Sequence, residues 1–272
     1  MCLPSLDYIW RKTMKIENYG VGPRCAEVMR RLVVWDTEGG IPEGVGRIIL
    51  LPIPTARDKI HITGTDRLVS EVLADVGEGD VVVGYGISAD DTAYIAAVGA
   101  YCFDAAEDEV FLGENAEISA LGALGYILTT SDKVPSDLTV GVIGYGRIGS
   151  ALVRSLLFYG ARVRVYTSKE LTRVELGECA IDTVYMPRGE EIIPDIDFCD
   201  IIINTAPTPL AKSFPTGRVP DGVRVIELAS GNNFSGVDGV EKQMSIPDKM
   251  YAKSAGRAYF QAIKRYIEGV FV

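Results

Sequence analysis

Histidine is nearly absent: His61 is the one histidine in 272 residues. That scarcity rules out a metal centre built on imidazole, so no metal is expected. It also leaves a Ser-His-Asp relay without support, because His61 falls in "ARDKIHITGTDR" and reads as a surface or loop residue. Cysteine is sparse too. Cys2, Cys25, Cys102, Cys179 and Cys199 are odd in number and none has CxxC spacing, which argues against a disulfide framework or a zinc knuckle. Reduced thiols in a cytoplasm are the expectation. Long apolar runs are missing, so no membrane partner is expected. An excess of positive charge is missing as well. With 27 basic and 37 acidic residues the formal net charge is -10, and a nucleic-acid partner would be repelled. The opening "MCLPSLDYIWRKTMK" lacks the ordered regions of a secretory signal. Met14 opens a more natural cytosolic beginning, an expectation that the intact mass of the natively expressed protein tests.

What is present suits a globular α/β chain. Hydrophobic residues make up 47% and charged residues 24%, enough for one large or two modest domains. "GRIILLPIP" and "DVVVGYGIS" are short apolar runs closed by proline or glycine, the pattern of buried strands. "DDTAYIAAVGAY" has helical spacing behind two aspartates fit to cap it, and "CFDAAED" reads as a strand entering a turn. "GPRCAEVMRRLVVWD" suggests a helix followed by a strand. "ENAEISALGALGYILTT", from Glu114, predicts a helix with a long apolar face and Asn115 near its mouth. After a polar turn come the strands "TVGVIG", "RVRVYT", "IDTVYM", "CDIIINTAP" and "RVIELAS", and "SAGRAYFQAIKRYIEGVFV" closes the chain as a helix. Alternation of this kind predicts two doubly wound parallel-sheet domains, the second a Rossmann dinucleotide-binding domain.

The clearest chemical signal is "VGVIGYGRIGSALVRSLLFYGARVRVY". Gly144, Gly146 and Gly149 form G-x-G-x-x-G between an apolar strand and an amphipathic helix, with a second strand following. Gly144 permits the tight turn, Gly146 lets backbone approach a pyrophosphate, and Gly149 lets helix and strand pack closely. Tyr145, Arg147 and Ile148 complete this segment, whose helix N-terminus faces the anion. An acid at the end of the second strand would select NAD. Thr167, Ser168 and Lys169 stand there instead, with Arg162 and Arg164 earlier on the strand. Hydroxyls and an ammonium receive a 2′-phosphate, so NADP is expected in preference to NAD.

The layout resembles the D-isomer-specific 2-hydroxyacid dehydrogenases, and "VGVIGYGRIGSALVRSLLFYGARVRVY" looks like their cofactor segment. Ser230 occupies the place of that family's arginine, and no histidine follows it, so the reaction is not carried over. A closer resemblance is to the A subunits of dipicolinate synthase. "IILLPIP", "VVVGYGIS", "GENAEISALGALGYIL", "IIINTAP", "VIELASG" and "IPDKMYAKSAGRAYFQAI" resemble that family's segments in order and spacing from about Arg47 onward. The chain departs from it at Leu121-Gly122, where the family has Glu-Gly, and at "GNNFSG", where it has a glycine-rich run. The resemblance implies a flavodoxin-like substrate domain over 1–113 joined by helix 255–272. It implies a linker helix and Rossmann domain over 114–254. It further implies a nicotinamide cofactor, a small carboxylated substrate in an interdomain cleft, a homodimer, and a second, flavoprotein-like subunit.

Ligands in open α/β sheets bind beyond the carboxyl ends of the strands. That rule nominates Thr55, Tyr85, Gly86, Ile87 and Ser88 on the substrate side, with Asn115 as a cap or a substrate contact. "GYGIS" offers amides and a hydroxyl to a carboxylate, or is ordinary turn chemistry. Thr205, Ala206, Pro207, Leu228, Ala229 and Ser230 are expected on the nicotinamide side. For proton transfer the candidates are Lys253, Ser230 and Tyr85, and the alternative for Lys253 is a solvated side chain. The leading expectation is an NAD(P)-dependent oxidoreductase. The alternatives are a 2-hydroxyacid dehydrogenase with atypical catalytic groups and a non-catalytic nucleotide-binding subunit.

Overall fold

The structure is a computed structural model that describes residues 16–187 and 192–271. It divides into two compact units: the described residues up to Asn115 together with those from Pro247 onward, and Ala116–Ile246. The proposed start at Met14 lies outside the described residues.

The first unit is built on strands β1 (Ile16–Asn18), β2 (Ile48–Leu50), β3 (Val81–Gly84) and β4 (Tyr101–Asp104), in the order β1-β2-β3-β4, all parallel. β2 and β3 are buried at every position, which is why "IIL" and "VVVG" read as continuous apolar runs. Helices α1 (Gly22–Thr37), α2 (Val69–Leu73) and α3 (Ala89–Ala97) alternate with the strands. The strand expected at the end of "CAEVMRRLVVWD" is instead the last two turns of α1. Cys25, Val28, Met29, Leu32 and Trp35 are buried at helical spacing while Val34 is exposed, and a strand would bury every second residue. The closing helix α8 (Ala252–Phe271) packs along α1, where Trp35 meets Phe260 edge-on at 6.0 Å.

Helix α4 (Glu109–Thr130) starts about one turn earlier than the predicted Glu114. Asp108 Oδ1 accepts the Phe111 amide at 2.7 Å and caps it. Asn115 therefore does not open the helix. It lies in the second turn, where its Oδ1 accepts Arg24 Nη1 at 3.3 Å.

The second unit carries β5 (Thr139–Ile143), β6 (Arg162–Thr167), β7 (Asp182–Tyr185), β8 (Ile201–Asn204), β9 (Arg224–Glu227) and β10 (Val240–Lys242). Their order is β10-β9-β8-β5-β6-β7, all parallel, so the winding reverses beside β5. Helices α5 (Arg147–Phe158) and α6 (Glu170–Glu178) follow β5 and β6. Strand residues alternate between two cores. Val140, Val142, Ile201 and Ile203 pack with Ala123 of α4, Leu152 and Leu156 of α5 and Leu176 of α6. Ile143, Ile202 and Val225 pack with Leu210, Phe214 and Phe234 on the opposite side. Both parallel-sheet α/β units expected from the sequence are present. A short helix, α7 (Ile246–Met250), precedes α8. No helix among the described residues is long and apolar enough to cross a membrane.

Candidate functional site

The reversal beside β5 is where an open parallel sheet leaves a crevice. Gly144 stands at it with φ +89, a conformation that favours glycine, and its amide donates to the Tyr166 carbonyl at 2.8 Å. A Cβ on Gly149 would lie 2.2 Å from the Gly144 carbonyl oxygen, so α5 packs directly on its own turn. A Cβ on Gly146 would meet nothing within 4 Å. The space over Gly146 is therefore open backbone approach. α5 begins at Arg147 with no side-chain cap and no acid in its first turn. Its first-turn amides have no intrahelical acceptor, and the helix dipole is positive there. These features fit the diphosphate of a dinucleotide.

On the β6 side, Ser168 lines a small cleft with Gly144, Tyr166, Met186 and Ala206. Thr167 is buried, and its hydroxyl oxygen accepts the Lys169 amide at 3.2 Å. Lys169 is exposed at the start of α6. The nearest acid, Glu170, is held by Arg173 through Nε at 2.9 Å. Arg164 pairs with Asp182 at 2.6 Å and stacks over Phe198, while Arg162 donates to the Thr139 hydroxyl, so both are engaged elsewhere.

At the ends of β8 and β9 the Thr205 hydroxyl donates to the Ile143 carbonyl at 2.9 Å, and it lies against both Gly144 and Gly149. Asn204 and Glu227 are register partners on the two strands and both are buried. Asn204 Nδ2 donates to Glu227 Oε1 at 3.0 Å. Burial holds the Glu227 carboxyl above its ordinary range, opposed by the Asn233 side chain, the Ala229 amide, the Asn204 amide and Lys242. Sequence reading missed this residue because "VRVIELAS" looks apolar overall. The signal was an acid in the last place of a buried strand, opposite the asparagine that ends "IIIN". Pro207 and Ser230 are exposed, Leu228 is half-buried and Ala229 is buried.

In the first unit, Thr55, Gly86, Ile87 and Ser88 gather around an open pocket with Lys59 and Asp91. The donors nominated for a substrate carboxylate already serve the fold. Asp104, the last residue of β4, accepts the Gly86 and Ile87 amides at 2.8 Å each. Ser88 caps α3, accepting the Asp91 amide at 3.1 Å, and Thr55 Oγ1 accepts the Tyr85 amide at 2.9 Å. Lys59 contributes a cation to the pocket lining that the sequence reading did not single out.

The candidate proton carriers are not gathered in one unit. Tyr85 and Lys253 belong to the first, and Ser230 to the second. The Tyr85 ring meets Phe111 edge-on at 6.5 Å. Lys253 is exposed in the first turn of α8. His61 is exposed on the loop that supplies Thr55 and Lys59, and its Nδ1 lies 2.7 Å from Asp58 Oδ2.

No protein-family model and no curated protein sequence matches this chain. Solved structures do. The A subunit of dipicolinate synthase from Bacillus halodurans superposes with a TM-score of 0.70 at 20% identity, covering 93% of this chain and 96% of that one. The dipicolinate synthase A chain from Bacillus subtilis gives a TM-score of 0.70 at 17% identity, covering 94% and 95%. A transhydrogenase from Sinorhizobium meliloti gives 0.55 at 15% identity, covering 82% and 74%. At such identities the shared property is the fold, and the fold of this chain is that of the dipicolinate synthase A subunits.

Proposed function

We propose that the chain is an NAD(P)-dependent oxidoreductase similar to the A subunits of dipicolinate synthase, with NADP preferred, acting on a small carboxylated substrate. The observation that carries this reading is the open approach over Gly146 onto an uncapped helix N-terminus. The first-turn amides of α5 hold the diphosphate. Ser168 and Lys169 receive the 2′-phosphate, a role supported by the absence of an acid at those positions and by the engagement of Glu170 with Arg173. The 205–207 and 228–230 segments receive the nicotinamide ring, which supplies or accepts the hydride when bound. Lys59, the cation of the first-unit pocket lining, draws the substrate carboxylate, and Lys253, Ser230 or Tyr85 carries the proton. The chain acts as a homodimer.

Cofactor choice gives a direct test. Ser168→Asp places a carboxylate where the 2′-phosphate would lie. It should weaken NADP by at least about tenfold while NAD is held as well or better. Equal losses for both cofactors would remove Ser168 from the ribose site. Turnover is tested by following NADPH and NADH with 2-oxo acids and with small dicarboxylates.

A second reading is a nucleotide-binding subunit that serves a flavoprotein partner without catalysing. It draws support from the engaged donors at Gly86, Ile87 and Ser88, the last a hydroxyl that donates to Asp91 Oδ2 at 2.6 Å; they leave the first-unit pocket with little free to hold a substrate. Tight dinucleotide binding with no turnover on any tested substrate favours this second reading.

A further inference from the structure

Glu227 is 2% exposed, and its Oε2 has no hydrogen-bond partner among the described residues. An unsatisfied buried oxygen is costly and is retained only with a reason. Its other oxygen is heavily used. Oε1 accepts both Asn204 Nδ2 at 3.0 Å and the Ala229 amide at 2.9 Å. Asn204 in turn accepts the Ala206 amide through Oδ1 at 3.1 Å, and its carbonyl accepts the Leu228 amide at 3.0 Å. One buried pair therefore fixes the first residues after β8 and the first residues after β9 at once. β8 and β9 lie on the side of β5 away from β6, while Ala206, just past β8, also borders the small cleft with Ser168.

We propose that Asn204 and Glu227 form the positioning element of the nicotinamide half-site, setting the two strand-end turns that receive that half of the dinucleotide. The proposal rests on the dinucleotide reading above. It predicts a division within one ligand: the adenosine and diphosphate half is held chiefly at Gly144–Gly149 and Ser168, and the nicotinamide half depends more strongly on the pair. Glutamine keeps the length of the side chain and an acceptor at Oε1. Alanine removes the acceptor, leaving the Asn204 side-chain donor buried and unpaired and the Ala229 amide with only its longer bond to the Asn204 carbonyl at 3.2 Å.

The test compares NAD+ with ADP-ribose, which lacks the nicotinamide, by calorimetry on the full chain. Glu227→Ala and Asn204→Ala should weaken NAD+ by about tenfold and ADP-ribose by less than about twofold, with Glu227→Gln close to wild type. Amide hydrogen exchange on the ligand-free variants supplies the second arm. Faster exchange confined to residues 205–208 and 228–231 in the alanine variants is expected. Unchanged NAD+ affinity in Glu227→Ala, or equal losses for both ligands, overturns the proposal. If wild type binds neither ligand, the dinucleotide reading fails, and this half-site role falls with it. Exchange unchanged in both turns then shows separately that the pair does not fix them.

Discussion

Gly146→Ala will fold as stably as wild type and bind dinucleotide on the order of a hundredfold more weakly. The residue has φ -88 and ψ -163, which alanine adopts without strain, and its Cβ enters empty space. The narrower range of unfolded conformations gives alanine a slight advantage, about 0.4–1 kcal/mol. The same empty space is where a diphosphate must approach within hydrogen-bond reach of the α5 amides. A methyl group there separates them, and two charge-assisted hydrogen bonds of about 1.5–3 kcal/mol each are weakened. Gly149→Ala, three residues along, is the contrast. Its Cβ would stand 2.2 Å from the Gly144 carbonyl oxygen and 2.9 Å from Thr205 Oγ1, so helix and turn must part. That variant should lose about 1–3 kcal/mol or more of stability as well as binding. Thermal melts paired with calorimetry separate the two. A Gly146→Ala protein that binds like wild type means the anion does not approach over this turn.

Asp80→Ala should cost the first unit about 2–3 kcal/mol, because it strips the acceptor from two backbone amides while Arg47, a third exposed, keeps Glu17. Asp80 is 5% exposed and joins the starts of β2 and β3. Its carboxylate accepts the Arg47 amide at 2.7 Å, the Gly77 amide at 3.0 Å and the Arg47 guanidinium at 2.7 Å, while Arg47 Nη1 reaches Glu17 of β1 at 2.7 Å. Burial is the largest single influence on this carboxyl and pushes its pKa up. The Arg47 and Gly77 donors together outweigh it, and the pKa ends below its ordinary 3.8. A depressed folded pKa means the stabilisation is present above 3.8 and is lost as pH falls through the folded value. Urea unfolding followed as a function of pH should therefore show an acid limb in wild type that Asp80→Asn flattens. A loss below about 1 kcal/mol in Asp80→Ala would show that Arg47 is solvated without its partner.

Much of the second unit was legible because its signals are local. Glycines spaced around a strand-to-helix turn and apolar runs of strand length are readable one segment at a time. What escaped depends on partners distant in sequence. "KIEN" and "VEK" are too short and polar to announce β1 and β10, which exist because β2 and β9 offer them an edge. Val33, Val34 and Trp35 imitate a strand, and only burial against α8 shows that Trp35 continues a helical stripe. On sequence alone the 86–88 turn suits either an anion or ordinary turn chemistry. Its anion is the protein's own Asp104, a residue that the turn's sequence cannot reveal. Glu227 was hidden for the same reason, since its significance lies in standing opposite Asn204 across two strands.

The central claim is that the amides opening α5 grip a diphosphate. Titration calorimetry of the wild-type chain with NADP+ and NAD+ at neutral pH and modest salt tests it most directly. Saturable binding of one dinucleotide per chain, tighter for NADP+ and displaced by ADP-ribose, is the predicted result. No association with either dinucleotide, in protein shown to be folded, would contradict it.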